Sequence, residues 1–169
     1  MDLDPRCKAL NILSGFNEIH KGDISLSRWR KLQKRILLFI ESDDETVHTG
    51  LLTKPFLLLD EEIFKIASKY EPLMPGRQVV LLDKENHISC LYYLPILPRI
   101  SCISPNSKLS NANTKFVGTP ILQSNKMLGI HIFWLDGFNS DLPVISLDLA
   151  ESILRRNHMG IKLTPIEIE

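Results

Sequence analysis

The chain has 169 residues, with 20 Lys+Arg balanced by 20 Asp+Glu, and is 44% hydrophobic and 24% charged. That is enough length for one self-sufficient core without disulfides or metal, and the composition is that of an ordered globular domain, not a disordered one. The zero formal charge argues against a general nucleic-acid binder, which draws most of its affinity from neutralising phosphate.

The opening "MDLDPRCKALNIL" has no basic n-region ahead of an apolar core. The longest apolar runs, "ILLFI" and "FLLL", are too short to span a bilayer, so a cytosolic location is expected. Cys7, Cys90 and Cys102 make an odd set without CxxC spacing, which reads as free, buried thiols.

In chain order, Leu10, Leu13 and Phe16 lie three apart and predict a weak first helix, limited by Gly15 and Gly22. "DISLSRWRKLQKRILLFIES" then sets Trp29, Leu32, Ile36 and Phe39/Ile40 at helical spacing. With Arg28, Lys31, Lys34 and Arg35 between them, and Ser25 or Ser27 as cap, the stretch predicts an amphipathic helix with a basic outer face. "ESDDETVHTG" is an acidic loop. A further helix is expected after Asp60 as its cap, with Glu61 and Glu62 at its positive end and Ile63, Phe64, Ala67 and Tyr70 inward, until "EPLMPG" stops it.

From Arg77 the pattern changes to strands. "RQVVLL" and "HISCLYYLPIL" flank the turn-like "DKEN", and Pro95 and Pro98 make the second an edge strand or two short ones. "SPNSKLSNANTK" reads as a polar loop. "TPILQSNKMLGIHIFWL" reads as two strands, the second apolar on both sides (Ile130, Ile132, Trp134; Phe133, Leu135) and therefore central. "PVIS" is a brief strand. Ser146 caps a helix with Leu147, Ala150, Ile153 and Leu154 inward and Arg155 and Arg156 in its last turn, and Gly160 stops it before a closing strand in "IKLTPIEI".

The fold class expected is α+β: N-terminal helices, then a mainly antiparallel sheet with one C-terminal helix packed on it. Residues 1–169 form a single domain, with a helical part at 1–76 and a sheet-rich part at 77–169.

Chemistry-bearing motifs are sparse. His20, His48, His87, His131 and His158 have no partner at metal-ligand spacing, so neither a metal nor a cofactor is expected. His131 reads as a hydrogen-bonded sheet histidine, and His20 and His48 as surface groups. There is no GxSxG, P-loop or GxGxxG, and no nucleophile in a glycine-flanked elbow, which points away from an enzyme. Charge is segregated. Acidic groups gather at Glu41, Asp43, Asp44 and Glu45, at Asp60, Glu61 and Glu62, and at Glu167 and Glu169, while basic groups gather at Arg28–Arg35. Such runs usually solvate a face, but in a binding protein they steer a partner of opposite charge.

"LPILPRISCIS", "IHIFWLDG" and "LPVISLDLAESILRRNHMGIKLTPIEI" resemble the C-terminal half of immunity proteins from bacterial polymorphic-toxin and contact-dependent inhibition systems. In one large group of these, a "YYL.NVL…D.ID" strand precedes an "IFR" strand, a "VSE.L" helix and a closing "G..G..F" strand. The matching positions are Pro95–Ser104, Ile132–Leu135, Val144–Leu154 and Gly160–Ile168, with Trp134 at the family's arginine and "RISCIS" for its aspartate-rich strand. The resemblance implies a non-enzymatic inhibitor that binds one cognate toxin domain in the cytosol and blocks its active site or substrate surface. Many such toxins are nucleases, commonly basic. On that reading Asp43, Asp44, Glu45, Asp60, Glu61 and Glu62 are candidate toxin contacts and Tyr70 a candidate aromatic anchor. Two other classes stay open: an α+β domain that binds a small molecule or peptide, and a hydrolase with a dispersed site.

Overall fold

A computed structural model describes residues 1–8, 10–14, 26–43, 46, 48–112, 115–138, 142–158 and 160–169. Its strands are β1 (Asp2–Leu3), β2 (Asn11–Ser14), β3 (Arg35–Glu41), β4 (Leu51–Leu52), β5 (Leu58–Asp60), β6 (Gly76–Asp83), β7 (Ile88–Pro95), β8 (Arg99–Ile100), β9 (Lys108–Ala112), β10 (Lys115–Thr119), β11 (Ile121–Leu122), β12 (Ile132–Leu135), β13 (Pro143–Ile145), β14 (Ile161–Lys162) and β15 (Glu167–Ile168). The helices are α1 (Leu26–Lys31), α2 (Glu61–Tyr70) and α3 (Leu147–Leu154).

This overturns the expected layout of helices first and sheet second. The main sheet has six strands in the order β2-β3-β6-β7-β5-β4, so four of the six come from the first 76 residues. It is mixed: β3 and β6 run parallel and the other pairs antiparallel. The long basic helix is replaced by the short α1 and by β3. Leu32, Ile36 and Ile40 fit a helical stripe, but Ile36, Leu38 and Ile40 fit a strand equally well. Pairing with β6 decides for the strand, and burial alternates strictly along it. The weak first helix is likewise replaced by β2, and Phe16 lies outside the described residues.

Other corrections follow from pairing that local chemistry does not announce. β7 is internal, between β6 and β5, and Pro95 is tolerated because it ends the ladder opposite Gly76. The polar loop contains β9 and the first residue of β10, which pair as a hairpin. The closing strand is two short pieces in different sheets, β14 against β1 and β15 against β11. β12 is central as expected, between β13 and β8.

One face of the six-stranded sheet packs Ile36, Leu38, Ile40, Val79, Leu81 and Tyr92 into the first core. On the other face, Leu59 of β5 meets Ile63, Ile66 and Ala67 of α2 and Leu149 and Ile153 of α3 in a second core. A third core lies around Phe133 and Leu135 of β12. The buried set on α3 is Leu149 and Ile153, with Leu147 and Leu154 exposed, a rotation of the face read from sequence.

Candidate functional site

The predicted contact residues are placed as follows. Asp43 is held by Lys8 and by Thr46, whose hydroxyl donates at 2.7 Å. Asp44 and Glu45 lie outside the described residues. Asp60 caps α2, accepting from the Ile63 amide at 2.7 Å, and its other carboxylate oxygen is 3.7 Å from His158 Nδ1. Burial raises its pKa above the usual aspartate value. Glu61 pairs with Lys65 at 2.8 Å. Glu62 lies 3.7 Å from His158 Nε2 and 3.8 Å from Arg156 Nε. Asp43, Asp60, Glu61 and Glu62 each have a neighbour within the chain.

Tyr70 is not beside them. It ends a ten-residue helix that they begin, about 15 Å away along the axis. Its hydroxyl lies 2.6 Å from Ser152 Oγ and donates to the Asp148 carbonyl at 3.1 Å, so the ring clasps α2 to α3. Its neighbour Glu71 accepts from the His131 amide at 2.6 Å, and His131 Nδ1 lies 2.9 Å from Ser146 Oγ, the α3 cap. These polar groups fix the helix layer on the rest of the molecule.

One pair has the form of reactive chemistry. Cys90 Sγ on β7 lies 3.1 Å from His48 Nδ1. Burial pushes the thiol pKa up, which favours the thiol over the nucleophilic thiolate. Among the described residues, no group of three His, Cys, Asp or Glu could hold a metal ion.

The second face of the main sheet offers something different. Register places Leu37 of β3 beside Val80 of β6, Phe39 beside Leu82, and Val80 beside Leu91 of β7. Side chains directly opposite on one face stand about 5 Å apart, so these five form a continuous apolar surface. The same face carries Arg35, Gln78 and Tyr93 in a row. Arg35 Nε donates to Gln78 Oε1 at 3.3 Å, and the Gln78 amide to the Tyr93 hydroxyl at 3.5 Å.

At Tyr93 the helix layer begins: Phe64 of α2 stacks on its ring at 4.3 Å. Toward β5 the face is roofed by α2 and α3. Toward β3 no described helix packs on it. None of Leu37, Phe39, Val80, Leu82 and Leu91 is buried or belongs to the three cores, Leu37 is 48% exposed, and Leu13 of β2 is 53% exposed.

Arg35 stands at one end of this half, and further cations precede it in the chain. Arg30, Lys31, Lys34 and Arg35 are exposed, and among the described residues none of them pairs with a carboxylate. At the far end of the same face Lys84 sits over the Phe39 ring at 4.2 Å, near the exposed Glu41. Sequence reading set the Arg30–Arg35 cations on one helix; Arg30 and Lys31 do lie on α1, whereas Lys34 follows it and Arg35 begins β3. Only the strand alternation of "RILLFIE" puts Arg35, Leu37 and Phe39 on one face.

No protein-family model matches the chain, and no curated protein matches it. Among the described residues, no helix is long and apolar enough to cross a membrane.

Proposed function

We propose that this chain is a binding protein that acts by occlusion, an immunity protein that covers a toxin domain in the cytosol of the cell that makes both. The observation that carries the binding role is the half-roofed second face of the main sheet. Contiguous exposed apolar surface rimmed by charge marks an interaction site on a folded protein, whereas scattered exposed leucines do not. Leu37, exposed, and the half-buried Phe39, Val80, Leu82 and Leu91 around it supply such a surface on paired strands. The resemblance supplies the class of partner. Its segments fall on β8, β12, β13–α3 and β14–β15, outside the open face, which leaves that face free to follow a particular toxin.

Co-expression with the variable C-terminal domain of a secreted toxin encoded beside this gene tests the reading. A stoichiometric complex on size exclusion with mass determination, together with rescued growth, is expected. Separate peaks and no rescue contradict it.

The Cys90–His48 contact favours a second reading, a thiol hydrolase. Ester hydrolysis abolished by both Cys90→Ala and His48→Ala would establish it, and inactivity of the wild type on a broad ester panel would remove it.

A further inference from the structure

Resting on the partner-binding reading, we infer that the open half of the sheet receives an acidic protein surface, whose carboxylates meet the Arg30–Arg35 cations while its apolar centre covers Leu37, Phe39 and Val80. Charge complementarity carries the choice of occupant. The carboxylates at the start of α2 are engaged by Lys65, Arg156, His158 and the α2 backbone. Arg30 and Lys31 of α1, Lys34, and Arg35 at the start of β3 have no such partner among the described residues, and Arg35 stands on the same face as Leu37, two residues away.

Unpaired surface charge beside a patch sets the sign of the partner that approaches fastest and docks without leaving a buried charge alone. The patch itself is aliphatic, with Phe39 the one aromatic ring in its open part among the described residues. Single-stranded nucleic acid is held by stacked aromatic rings and duplex DNA by many phosphate contacts, and this face offers neither on a chain of zero net charge. A toxin domain bound here therefore presents carboxylates at the contact, even if it is basic elsewhere.

A two-armed experiment tests this. In the first arm, a synthetic amphipathic helical peptide with leucines on one face and glutamates on the other is titrated into the full chain, and backbone amide shifts are followed by NMR. Lysine-for-glutamate peptide, a short DNA duplex and phosphatidylglycerol vesicles serve as comparisons.

The glutamate peptide is expected to move the amides of residues 36–39 and 80–82. Lys34→Glu/Arg35→Glu, folded by circular dichroism, is expected to weaken it roughly ten-fold, an effect that salt erodes. Equal binding of the lysine peptide, tighter binding of duplex or vesicles at these residues, or unmoved amides would overturn the inference.

The second arm measures association of the cognate toxin domain. Slower association of Lys34→Glu/Arg35→Glu with unchanged behaviour of Glu61→Lys/Glu62→Lys supports the surface. The reverse pattern moves the contact to α2 and overturns the inference while leaving the immunity reading intact. A toxin domain that never binds the wild type removes the immunity reading, and the peptide arm still decides the surface.

Discussion

The two ends of the helix–sheet layer carry charge runs of similar density and opposite use. At the start of α2, Asp60 caps the helix, Glu61 pairs with Lys65, and Glu62 lies 3.8 Å from Arg156, with His158 3.7 Å from both Asp60 and Glu62. From the end of α1 to the start of β3, Arg30, Lys31, Lys34 and Arg35 pair with no carboxylate among the described residues. The same contrast runs through the apolar residues of the second sheet face, roofed beside α2 and open beside β3. Charge or apolarity in a sequence becomes available to a partner only where the fold has not already used it.

The largest effect expected separates the two halves of the face. Leu59 of β5, fully buried under the roof, should cost about 2–5 kcal/mol on replacement by alanine, because transfer energy is lost and a cavity is left. Leu37→Ala on the open half should cost well under that in urea unfolding and weaken partner binding instead. Equal destabilisation would mean that the open half is also structural.

Next comes the α2 cap. Asp60→Ala should lower stability by about 1 kcal/mol, since the Ile63 amide loses its acceptor. Asp60→Asn keeps an acceptor and removes the charge. Because burial raises the Asp60 pKa in the folded state, its titration favours folding below the unfolded value of 3.8, and that advantage is lost as pH rises through the folded pKa. The Asn variant should therefore gain on the wild type as pH rises through that window, read as the difference in urea midpoints.

Asp83 provides the opposite sign. The Ser42 hydroxyl and then Asn86 hold its carboxyl well below 3.8, so its contribution is present above 3.8 and fades as pH falls toward the folded pKa. Asp83→Asn should lower the melting temperature at neutral pH and converge on the wild type in acid.

The smallest effect on stability is expected at Lys34 and Arg35. Lys34→Glu/Arg35→Glu should change unfolding by no more than about 0.5 kcal/mol, as exposed substitutions usually do. Its effect belongs in the association rate.

What the sequence revealed was local chemistry. Asp60 and Ser146 announced α2 and α3 as caps, and "DKEN" announced the β6–β7 hairpin, because each signal acts within a few residues. What it hid was decided at a distance. β3 took its strand form from β6, forty-three residues on, and the β9–β10 hairpin has too few apolar residues to show alternation. The candidate site was legible as a set of charges but not as their pairing. Glu62 meets Arg156, and Asp60 meets His158, across most of the chain, so no local pattern could mark those carboxylates as occupied. Tyr70 looked like an anchor because nothing nearby in sequence shows Ser152 waiting for its hydroxyl.

The central claim is that a partner covers the open half of the sheet. Amide hydrogen exchange of the chain alone and in its complex with the cognate toxin domain tests it most directly. Added protection concentrated at residues 35–39 and 80–82, with α2 unchanged, is the predicted result. Protection concentrated at residues 61–70, with β3 and β6 unchanged, would contradict it.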